Sequence, residues 1–145
     1  MNLVRRLDHV AIAVNDTDRA VAELHDRLGL HVSSSEELTR PPVRLTYLDA
    51  GNCCIQLVEP LDPSADVAQW LEEHGEGIHH VCFGVDSVPT AIAAISGGPP
   101  PTHLGSGRGR VSGFVFDLVA GMRVECTEFL REQDVNAGRG WLGPD

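Results

Sequence analysis

The chain has 145 residues, 42% of them hydrophobic and 22% charged. That suits one domain with a sizeable core, and the apolar runs are too short to span a bilayer. A net charge of −10 argues against nucleic acid and anionic membrane partners. All eleven basic residues are Arg, so Schiff-base and pyridoxal chemistry on a lysine, and any lysine-dependent P-loop, are excluded. The N-terminal Met-Asn-Leu-Val-Arg-Arg carries no signal-peptide apolar region, and the expected location is cytoplasmic. Cys53, Cys54, Cys82 and Cys126 have no CxxC spacing and read as free thiols of a reducing compartment.

In chain order, Leu7–Val14 alternates as a strand, and Asp16 or Thr17 caps a helix. That helix has Ala20, Val21, Leu24 and Leu28 on one side and is stopped by Gly29. A short strand is possible at 30–33, and the polar segment 33–42 reads as a loop. Val43–Leu48 alternates again, and Asp49-Ala-Gly-Asn52 turns into a strand over Cys53–Val58. Pro63–His74 is a connecting helix that ends at Gly75. A strand over 78–85 and a helix from Ser87 to Gly97 follow, with Pro89 tolerated in the first turn. Gly97–Pro101 is a rigid break, and strands are expected near Val111–Phe116 and Met122–Thr127. The tail over 131–145 has no periodicity.

The chain repeats itself. Without gaps, Leu7-Asp-His-Val-Ala-Ile-Ala-Val14 matches Ile78-His-His-Val-Cys-Phe-Gly-Val85 at an offset of 71, which sets His9 on His80. Ile55–Glu59 similarly matches Val124–Glu128 at an offset of 69, which sets Gln56 on Glu125. Strand alternation puts His80, Cys82 and Gly84 on one face and Val81, Phe83 and Val85 on the other. A histidine beside small residues suggests a cavity wall, and His79 is then its outward neighbour. If the two halves pair about a pseudo-twofold axis, His9, Gln56, His80 and Glu125 form a mixed N/O set. Such a set suits a divalent ion with open positions, whereas a structural zinc site would be closed and sulphur-rich. Cys54 and Cys82 share faces with Gln56 and His80 and are alternative ligands.

Four motifs, Asp8-His-Val-Ala11, Gln56-Leu-Val-Glu-Pro60, Gly77-Ile-His-His-Val81 and Val124-Glu125, resemble those of the vicinal oxygen chelate superfamily. That superfamily includes glyoxalase I, bleomycin- and fosfomycin-resistance proteins and extradiol dioxygenases, and the chain is most similar to its methylmalonyl-CoA epimerases. The likeness covers roughly residues 5–130. It implies an α+β fold of two paired βαβββ modules in a cupped, mostly antiparallel sheet around a metal site. Within a single domain, module one would span about 5–60, the connecting helix 63–75 and module two 77–130.

The resemblance makes His9, Gln56, His80 and Glu125 the ligands of a divalent ion (Co, Mn, Ni, Zn or Fe). It also implies an acyl-CoA or acyl thioester as substrate and a metal-dependent isomerase or epimerase acting by enolate-type proton transfer. A homodimer is expected. Glu125 would be one base, and the second epimerase base falls on Leu45, which cannot take a proton. Tyr47 shares the face of Leu45 and is the only tyrosine. Two roles are open to it, the missing catalytic base or a packing and hydrogen-bonding residue. The CoA phosphates would have to rely on Arg40, Arg44, Arg108 and Arg110. The other readings are a different metal-dependent isomerase, lyase or dioxygenase of specialised metabolism, and a protein that sequesters a small molecule to confer resistance.

Overall fold

The computed structural model describes residues 2–97, 107–116 and 118–129. Ten regular elements lie in them: β1 (Val4–Ala13), α1 (Thr17–Leu28), β2 (His31–Thr39), β3 (Pro42–Asp49), β4 (Cys54–Pro60), α2 (Asp66–His74), β5 (Gly77–Val85), α3 (Val88–Ser96), β6 (Ser112–Val115) and β7 (Val124–Glu128). The fold is α+β, and both halves run strand, helix, strands. Most of the expected break at Gly97–Pro101, and all of the tail from 131, lie outside the described residues. No helix among the described residues is long and apolar enough to cross a membrane.

Two compact units divide the chain. One comprises residues 10–79, and the other joins the N-terminal stretch to His9 with the chain from His80 onward. In the first, β2 pairs with β3 and β3 with β4, both antiparallel. Helix α1 begins where Asp16 accepts a hydrogen bond from the Arg19 amide, and it ends at Gly29, which takes up φ 72°. Capping of this kind is worth about 1 kcal/mol, and the left-handed position is one that glycine enters without strain. Below the helix, Val14, Leu48 and Leu57 are buried, with Ile12, Ala20, Val21, Leu24, Leu30 and Ile55 packed against them. The β3–β4 turn closes with the Asp49 carboxylate accepting from the Gly51 amide at 2.8 Å.

In the second unit β5 pairs with β7 in parallel and β6 with β7 antiparallel. Helix α3 starts at Ser87, whose Oγ accepts from the Thr90 amide, and its core comprises Val85, Val88, Ala91, Ile92, Val115, Val124 and Cys126. Val81 and Phe83 pack on this cluster, as strand alternation requires. The repeat is visible in the two cores. Val14 and Leu57 hold in one the places that Val85 and Cys126 hold in the other.

Two expectations need correction. The segment read as a loop over 33–42 is mostly strand, because β2 runs from His31 to Thr39. None of its residues is fully buried, so it lacks the apolar alternation by which strands are read. Backbone pairing to β3 holds it instead, helped by a Ser35–Thr46 hydroxyl contact at 3.1 Å. The small residues of β5 also do not all leave space. A Cβ on Gly84 would lie 3.2 Å from Cγ of Arg6 and 3.5 Å from the Phe129 ring, so that room is filled.

Leu48 is fully buried, whereas Leu28 is 68% exposed. Leu48→Ala is expected to lower stability by about 2–5 kcal/mol and Leu28→Ala by no more than about 0.5 kcal/mol in urea denaturation.

Candidate metal centre

Each predicted ligand from the second unit is presented by a strand: His9 by β1, His80 by β5 and Glu125 by β7. The β5/β7 register sets Cys82 opposite Glu125, which brings the carboxylate to the strand face that carries His80. All three are buried, with 2%, 6% and 3% of their surface exposed. Oε1 of Glu125 lies 3.2 Å from Nε2 of His9 and 3.5 Å from Nε2 of His80, and the imidazoles meet edge to face at 5.6 Å. The donor atoms lie within 4.8 Å of one another.

These separations fit a shared divalent ion. Two donors each about 2.1 Å from one ion, at angles between octahedral and tetrahedral, stand roughly 3.0–3.4 Å apart. The charges fit as well. Burial would push the Glu125 carboxyl up, but hydrogen bonds and charge interactions with His80 and His9 bring it well below the usual range. Burial would lower His9, yet Asp8 and Glu125 together raise it. A pocket that draws a proton onto a buried imidazole has the potential to draw a cation.

The sequence reading missed the support beneath His9. Nδ1 of His9 meets the Asp8 carboxylate at 2.7 Å, which leaves Nε2 as the inward-facing nitrogen. Asp8 is buried and is gripped by the Arg110 guanidinium at 3.1 Å to both oxygens, and by Arg108. Arg108 reaches it from a left-handed backbone at φ 60°. These two arginines are committed to Asp8, and Arg44 pairs with Glu37 and Glu59, so three of the four arginines considered for phosphate have other partners. An acid directly before the histidine was the available signal. Phe114 was missed as well. It stands opposite Glu125 in the β6/β7 ladder and meets the His80 ring at 5.0 Å, with Phe116 stacked on it at 5.9 Å.

Cys82 forms a second three-residue group with Asp8 and His9. Burial, reinforced by the Glu125 and Asp8 charges, pushes its thiol well above its ordinary value and keeps it protonated, a poor state for a ligand. His79 faces away from His80 and meets the Trp70 ring at 5.0 Å.

Gln56 and Tyr47 belong to the other unit. They are directly paired across β3 and β4, and Gln56 Nε2 donates to the Tyr47 hydroxyl at 3.0 Å. Leu45 lies two residues along on the same face, buried opposite Val58. A groove of about 560 Å³ in this unit runs beside α1, lined by Ile12, Val14, Leu24 and Leu57 among others, and none of the predicted site residues lines it.

A strand–helix–strand repeat with a buried His–His–carboxylate cluster defines a metal-site scaffold of the vicinal oxygen chelate class. Residues 8–98 match the model of the Glyoxalase/Bleomycin resistance protein/Dioxygenase superfamily, and the chain belongs to that superfamily. It is 35% identical over 88 residues to human mitochondrial methylmalonyl-CoA epimerase, a stretch that makes up 60% of this chain and 50% of the human protein. The chain thus spans about half the length of the curated relatives it matches first. Methylmalonyl-CoA epimerase from Mycobacterium tuberculosis superposes with a TM-score of 0.81 at 26% identity, over 93% of this chain and 95% of that one. A methylmalonyl-CoA epimerase solved with methylmalonyl-CoA and NH4+ gives 0.77 at 28% identity, over 88% and 95% of the two chains.

Cys53 is half-buried, whereas Cys54, Cys82 and Cys126 are buried. Titration of the native protein with Ellman's reagent is expected to find one fast thiol, with the other three reacting only on denaturation.

Proposed function

We propose that this chain is a divalent-metal-dependent enzyme of the methylmalonyl-CoA epimerase type. It would act on a 2-acyl thioester by proton transfer at the carbon alpha to the carbonyl. The observation that carries this reading is the convergence of His9 Nε2, His80 Nε2 and Glu125 Oε1 in a buried cluster. The ion would be held by these three and by Gln56. Gln56 enters on the family motif and on its own chemistry as a buried amide. A bound ion of this kind supplies Lewis acidity to carbonyl oxygens. Acyl-CoA as substrate follows from the relatives, one of which was solved with methylmalonyl-CoA. A homodimer in the cytoplasm, with Co, Mn, Ni, Zn or Fe as the ion, completes the proposal.

The chain's own residues then divide the work. Asp8, held by Arg108 and Arg110, keeps the His9 ring oriented. Glu125 stays ionised and is the one carboxylate of the set able to accept the alpha proton. The apolar pair Leu45 and Val58 offers no second acceptor at the position where the epimerases carry their other base. Proton removal and return through Glu125 alone favours exchange on one face of the substrate over full inversion.

The metal assignment is tested by mass spectrometry of metal content. His80→Ala is expected to lose bound metal and turnover together, whereas His79→Ala keeps both near the parent. Retention of one ion per chain by His80→Ala would overturn the ligand set.

The reaction is tested by solvent deuterium exchange into 2-methylmalonyl thioesters. Glu125→Gln is expected to lower exchange by at least about a hundredfold. Leu45→Glu is expected to raise epimerisation, because it restores a carboxylate on the second face. Rapid inversion by the native chain, unaffected by Leu45→Glu, would count against the one-base reading.

A further inference from the structure

We propose that Tyr47 is a positioning residue that orients the Gln56 amide so that its oxygen, and not its nitrogen, is offered to a cation. The inference rests on the metal-dependent reading above and assigns Tyr47 a task other than proton transfer. A carboxamide presents two unlike ends, an acceptor oxygen and a donor NH2, and only the oxygen can ligate a cation. Something must therefore hold the group the right way round.

Tyr47 and Gln56 are a direct cross-strand pair on one face of the β3/β4 ladder, which sets their side chains side by side. Both are almost wholly buried, at 1% and 3% exposure. The amide nitrogen donates to the phenol oxygen at 3.0 Å, which turns Oε1 away from the tyrosine. That oxygen is buried and has no hydrogen-bond partner. On the same face, Leu45 and Val58 carry no donor, and the thiol of Cys54 is only a weak one. A buried acceptor in apolar surroundings is costly unless an electrophile completes it; turning the amide would make its oxygen accept from the phenol O–H and leave the NH2, with no acceptor, in place of the oxygen.

The predicted chemistry differs between an amide and a carboxylate. A carboxylate has two equivalent oxygens and needs no orientation, so Gln56→Glu should make the phenol dispensable. The experiment is a double-mutant cycle read by cobalt(II) titration, following the visible d–d absorption. It compares the parent, Tyr47→Phe, Gln56→Glu and the double variant, with thermal unfolding of each as a control for folding.

Tyr47→Phe is expected to weaken cobalt binding by roughly 10–100-fold when Gln56 is intact, the range seen when a group that orients a ligand is removed. In the Gln56→Glu background the loss is expected to shrink below about threefold. An equal loss in both backgrounds, or none in either, overturns the positioning role, since a packing effect of the ring would not depend on the partner. His80→Ala separates the two readings. If it abolishes cobalt binding while the cycle shows no coupling, only the Tyr47 inference falls. If the parent takes up no cobalt, or His80→Ala takes it up as the parent does, the metal reading falls and the inference with it.

Discussion

A carboxylate fully out of water, touching two imidazoles, is the constraint on which this structure turns. Burying the Glu125 charge by itself would be prohibitive, and the group would protonate. His9 and His80 reverse that outcome by offering hydrogen bonds and positive potential at 3.2 and 3.5 Å. The same proximity that keeps Glu125 ionised raises His9, so the cluster has the field of a cation site. The support continues outward through Asp8 to Arg108 and Arg110, which neutralise the second buried carboxylate and fix the nitrogen that His9 turns toward Glu125. Breaking such a chain at one link strands a buried charge, which is why its members stand or fall together.

The scaffold meets this demand by duplication. In each half one strand carries an inward-facing histidine on one side and apolar residues on the other. The apolar side packs beneath a helix capped at both ends, around Val14 and Leu57 in one half and Val85 and Cys126 in the other. Strand alternation couples the two tasks. Residues that build the core necessarily present the polar set to the opposite face, so the cores and the histidines are held in register by one backbone.

Leu45 and Tyr47 stand on the face of the β3/β4 ladder that carries Gln56. Superfamily membership, with its TM-score of 0.81 to an epimerase, speaks to the scaffold and not to the stereochemical outcome.

Much was legible in the chain because it is local or periodic. The offset of 71 exposed the repeat, alternation assigned the faces of β5, and Asp16, Gly29, Ser87 and Gly97 marked the helix ends, since capping is decided by a few neighbouring residues. Strand β2 was not legible, because a polar strand held by backbone pairing leaves no pattern in side chains. Nor were the partners of Asp8, which come from about a hundred positions away. Arg108 and Arg110 were candidates for the CoA phosphates, and only folding turned them onto a buried carboxylate. The residue types and spacing of the cluster were written in the sequence. Which charges neutralise one another, and which nitrogen faces inward, depended on contacts that exist only once distant strands pair.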